Sequence, residues 1–63
     1  MSEVTEDINK ILKVVDIWER CDRVTIHNLS YIPYEELDIL LDLMVSKGDI
    51  IYKDGKYTLE KYL

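Results

Sequence analysis

The stretch IIYKDGKYTL, residues 50–59, leaves the least conformational choice of any part of the chain. An Asp-Gly pair between runs of Ile, Tyr and Thr is a strong β-hairpin signal, because a tight two-residue turn needs positive φ at both turn positions. That turn sets the register: Lys53 faces Lys56, Tyr52 faces Tyr57, Ile51 faces Thr58 and Ile50 faces Leu59. Strands are therefore expected over 50–53 and 56–59. Alternation places Ile50, Tyr52, Tyr57 and Leu59 on one face, expected to point at a core, and Ile51, Lys53, Lys56 and Thr58 on the other, expected to be wet. An isolated hairpin is marginal in water, so the preceding residues must cover its apolar face.

Those preceding residues are few. At 63 residues the chain is expected to be one domain spanning 1–63, with only about 3–5 kcal/mol of net stability to draw on. Cys21 is the sole cysteine, which excludes an internal disulfide and a multi-cysteine zinc site and suits a reducing compartment. The start MSEVTEDINK lacks the basic opening and apolar run of a secretory signal, and no stretch approaches the ~18 apolar residues of a membrane span; a cytoplasmic protein without membrane insertion is expected.

Helical periodicity accounts for most of the rest. Thr5 suits an N-cap, with Glu6 and Asp7 favourably placed in a first turn. Ile8, Ile11, Leu12, Val15 and Trp18 recur at helical spacing and predict a core helix over 5–20. Val24 to His27 predicts a short strand over 24–27, and Asn28 suits the cap of a single helical turn over 28–32. Pro33 fits the first turn of a third helix over 33–47, with Leu37, Leu40, Leu41 and Met44 as its core stripe and Lys47-Gly48 as its stop. The fold class expected is α+β, with three helices, the second very short, and a small antiparallel sheet ending in a hairpin.

This order resembles the winged-helix family. TIHNL stands where the strand leads into the second helix, PYEELDILLDLMVSKGDI where the third helix stands, and IIYKDGKYTL where the wing stands. The corner SYIPYEE is shorter than the family's usual turn, so helix two is expected to tighten toward a 3₁₀ turn. The resemblance implies either a DNA-binding regulator or a protein-binding module. Among its members, acidic winged helices of archaeal and eukaryotic type, in general transcription and in ESCRT-III division machinery, bind proteins.

Charge separates these uses. Eight Lys and Arg against 13 Asp and Glu give a net charge of −5, which repels nucleic acid at long range. In DNA-binding winged helices the third helix enters the major groove and the wing touches phosphate. Here Glu35, Asp38 and Asp42 line one edge of that helix, with Glu36 beside them. The leading expectation is a protein-protein interaction module. Its partner-binding candidates are Ile39 and Leu43 beside the acidic edge, Glu35, Asp38 and Asp42 on it, and Ile50, Ile51 and Lys53 on a wing strand whose free backbone edge can accept a peptide strand. The alternative is a sequence-specific DNA-binding transcriptional regulator using Tyr31, Tyr34, Lys53 and Lys56. A third reading is an acidic nucleic-acid mimic carried by the helix carboxylates.

No enzyme is expected. His27 has no second histidine, the carboxylates lie where nothing shifts their pKa toward acid-base work, and Gly48 and Gly55 serve a helix end and a turn rather than a phosphate loop. No catalytic, metal or cofactor-binding residue is therefore assigned, and the expected partner is a protein or peptide, with the chain a monomer or weak homodimer.

Overall fold

The computed structural model describes residues 3–63, with side chains from residue 4 onward. Among the described residues the chain forms α1 (Glu3–Trp18), β1 (Arg20–Cys21), α2 (Arg23–Ser30), α3 (Tyr34–Lys47), β2 (Ile51–Lys53) and β3 (Lys56–Thr58), followed by a 3₁₀ turn at Glu60–Tyr62. The three strands make one antiparallel sheet in the order β1-β3-β2. This is an α+β arrangement of three helices and a three-stranded sheet, compatible with a winged helix.

The hairpin has the register that its turn dictates, with Ile51 opposite Thr58, Tyr52 opposite Tyr57 and Lys53 opposite Lys56. Both turn residues take positive φ, 54° at Asp54 and 78° at Gly55, as a type I′ turn demands. α3 starts after Pro33, whose φ of −57° is already suited to a helix entry. It ends at Gly48, φ 83°, where the Asp49 N–H closes back onto the Met44 carbonyl at 2.8 Å.

Ile11 and Val15 of α1, Ile26 of α2, Leu37, Leu40, Leu41 and Met44 of α3, and Ile50 ahead of β2 form the core, joined by Cys21 and Ile32. Ile8, Leu12, Val14, Tyr34, Tyr57 and Leu59 pack around it, half-buried. The helical stripes expected in α1 and α3 thus meet as their spacing implies, with one exception. Trp18 closes α1 and is 57% exposed, because the helix stops there and Glu19, at φ 63°, turns the chain into β1.

Residues 24–27 are not a strand. They lie in α2, an α-helix of 8 residues that begins at Arg23 rather than at Asn28 and does not tighten into a 3₁₀ turn. The cause is Asp22, whose Oδ1 accepts the Thr25 N–H at 2.8 Å and caps a helix that carries Ile26 into the core. Asn28, expected as the cap, sits exposed inside α2, and Thr5, expected as the cap of α1, lies within that helix. The first strand falls instead at Arg20–Cys21, paired to β3 through Arg20↔Thr58 and Cys21↔Tyr57. That pairing makes β3 the central strand and changes the hairpin's faces. Thr58, expected to be wet, is 3% exposed, and Tyr52, expected in the core, is 56% exposed on the outer strand.

Candidate functional site

β2 is bonded to β3 on one side and, among the described residues, has no strand on the other. In a two-residue hairpin the pair flanking the turn exchanges both backbone hydrogen bonds, and bonded pairs alternate with non-bonded ones. From the register, Lys53 and Ile51 therefore direct their N–H and C=O groups at β3, and Tyr52 directs its own outward. The open edge presents the backbone of Tyr52, flanked by Lys53 and the half-buried Ile51.

Beside this edge an open groove runs between the hairpin and α3, lined by Asp42, Val45, Ser46, Tyr52 and Tyr57. The rings of Tyr52 and Tyr57 lie 4.9 Å apart at 53°. Burial first, then its electrostatic interaction with Tyr52 and with the carboxylates of Asp42 and Asp38, raises the Tyr57 phenol above its ordinary pKa. On the solvent face of α3, one turn apart, Ile39 is 69% and Leu43 45% exposed. Asp42 stands between that apolar pair and the groove in helical order, and Glu35 is exposed two turns before it.

Asp38 is placed differently. Arg23 grips it through two hydrogen bonds, Nε to Oδ1 at 2.6 Å and Nη2 to Oδ2 at 2.9 Å. That bond holds the Asp38 carboxyl below the usual carboxylate range and raises Arg23. Arg23 also lies over Tyr34, 4.1 Å from the ring centroid, and Tyr34 stacks on His27 at 3.8 Å and 15°. The His27 ring is held in turn by the Ile32 carbonyl, 2.7 Å from Nδ1; since a carbonyl only accepts, Nδ1 carries the proton. These four side chains fasten α2 to α3, so Asp38 and Tyr34 are committed to the fold.

Ile50, expected to meet a partner, is 1% exposed and belongs to the core. Tyr31 is 88% exposed at the left-handed end of α2, away from the Tyr34 stack in its contacts. Lys53 and Lys56 are exposed on the hairpin face opposite the two tyrosines and line, with Arg20, Asp54, Thr58 and Leu63, a small hollow. Of the residues that complete these surfaces, strand alternation alone points Tyr52 inward, and Arg20 and Val45 carry no local sequence signal; only strand pairing and helix placement bring them there.

Among the described residues no group of His, Cys, Asp and Glu converges to hold a metal ion, and no helix is long and apolar enough to cross a membrane. Comparison with known proteins finds no family model that matches the chain, no matching curated protein and no matching solved structure.

Proposed function

We propose that this chain is a winged-helix module that binds another protein, taking an extended segment of that partner on the open edge of β2. The observation that carries the reading is the sheet order β1-β3-β2, which leaves the backbone of Tyr52 unpaired beside a groove lined by Tyr52, Tyr57 and Val45. An added strand gains main-chain hydrogen bonds at the edge and places alternate side chains in that groove. Ile39 and Leu43 form a second exposed apolar patch on α3, on the far side of Asp42.

The charge of α3 favours this reading over DNA binding. Glu35 and Asp42 stand exposed where a major groove would approach, and Tyr34, one of the four residues a DNA contact would use, is occupied by His27 and Arg23. The mimic reading loses Asp38, which Arg23 neutralises.

The test is selection of peptides from a displayed random library on the folded chain, followed by mapping of backbone amide shifts. The expected result is perturbation centred on residues 51–53, abolished by Tyr52→Pro with the rest of the spectrum unchanged. Proline is tolerated there because the lost N–H points away from β3. Selected peptides that bind Tyr52→Pro undiminished would overturn the strand-addition reading.

A further inference from the structure

The cations of this acidic chain are unevenly matched. Four of the eight are ion-paired, Lys10 with Asp7, Arg23 with Asp38, Lys47 with Asp49 and Lys61 with Asp16. Among the described residues, Lys13, Arg20, Lys53 and Lys56 have no such pair, and three of these four border a small hollow on the outer sheet face, with Asp54, Thr58 and Leu63. The register makes the crowding explicit: Lys53 and Lys56 are direct cross-strand partners, and Arg20 lies opposite Thr58, two residues along β3 from Lys56. Like charges directly opposite each other destabilise a sheet. Protection of sheet edges accounts for lysine or arginine on the outer strands β2 and β1, but not for Lys56 on the central strand.

We infer that the segment taken on the β2 edge is acidic on one face, with carboxylate side chains alternating with apolar ones. This rests on the strand-addition reading and specifies its partner. A strand beside β2 lies about 4.8 Å away, so its side chains on the outer face stand directly across from Lys53, with Lys56 one strand beyond. Its carboxylates there relieve the lysine pair. Side chains of the opposite parity enter the groove against Tyr52, Tyr57 and Val45, where the Asp42 carboxylate in the same lining disfavours a second acid and uncharged apolar groups fit. A peptide answers this site better than a nucleic-acid backbone does. The cations are set between Asp54 at the turn and Asp22, whose carboxylate feels Lys56, so single carboxylates match the field where a continuous run of phosphates is repelled by the net charge of −5.

The experiment uses three blocked peptides, alternating Glu with Val, Thr with Val and Lys with Val, titrated onto the full chain with affinity and amide shifts recorded at low and high salt. The Glu peptide is expected to bind about five- to tenfold more tightly than the Thr peptide, the Lys peptide more weakly than either, and the Glu preference to shrink with salt. In Lys53→Gln/Lys56→Gln the preference for the Glu peptide over the Thr peptide disappears. Equal affinity for the Glu and Thr peptides, or a salt-insensitive preference in the unaltered chain, overturns the acidic-partner inference and leaves strand addition standing. Failure of every peptide to shift residues 51–53 overturns strand addition itself. Sub-micromolar binding of random duplex DNA through the same lysines, falling steeply with salt, overturns both in favour of nucleic acid.

Discussion

Arg23 at the start of α2 and Asp38 in the second turn of α3 form a two-pronged ion pair, with both carboxylate oxygens accepting from the guanidinium at 2.6 and 2.9 Å. The pair crosses the corner between the two helices and takes one carboxylate out of the acidic edge of α3. It belongs to a set. Asp16 accepts from Lys61 at 2.8 Å and from the Tyr62 hydroxyl at 2.6 Å, tying the final turn back to α1, and Asp22 caps α2.

All three carboxyls are held below their ordinary value of 3.8, Asp38 by Arg23, Asp16 by Lys61 and then Tyr62, and Asp22 by the Thr25 N–H. A depressed folded pKa gives stability that is present above the unfolded value and lost as pH falls through the folded one. The melting temperature should therefore be insensitive to these groups from neutrality down to about pH 4 and decline below it. Asp16→Asn/Asp38→Asn should flatten that acid limb, as thermal melts across the acid range will show. The groups are exposed, so the effect is modest and weakens with salt.

The core carries most of the stability. Leu41 is 1% exposed, and Leu41→Ala should cost about 2–5 kcal/mol, comparable to the whole margin of a domain this small. Trp18→Ala should cost much less, since that ring is more than half exposed. Urea unfolding followed by circular dichroism distinguishes the two. Equal losses would mean that Trp18 is packed against the core.

Burial, with a smaller contribution from Asp22, pushes the Cys21 thiol up to about 11 from 9.0. Because the folded pKa is raised, the stabilisation it carries is complete below the unfolded value and drains away between about pH 9 and pH 11. A thiol reagent should react slowly with the native chain and rapidly once urea unfolds it. Cys21→Val should remove part of the alkaline loss of stability.

Thr58 donates its hydroxyl to the Glu19 carbonyl oxygen, across the join between α1 and β1. Thr58→Val nearly preserves shape and removes that hydrogen bond, which should cost about 0.5–1.5 kcal/mol. Thr58→Ser keeps the donor and should recover much of the loss in the same unfolding assay.

What the sequence determined by itself is the part governed by neighbouring residues. Asp54-Gly55 imposes a turn whose backbone sets the hairpin register, Pro33 and Lys47-Gly48 bracket α3, and the apolar spacing within α1 and α3 selects the faces that meet. Tertiary structure decided what depends on residues far apart in the chain. Arg20 and Cys21 become a strand only because β3 lies beside them, which makes β3 central, buries Thr58 and leaves Tyr52 at the edge. Val24 to His27 could satisfy either backbone form locally, and the Asp22 cap together with the place for Ile26 in the core settled them as helix. The pairing of Arg23 with Asp38 and the gathering of Arg20, Lys53 and Lys56 around one hollow likewise have no local signal, because each joins side chains from separate elements whose relative placement is fixed by packing.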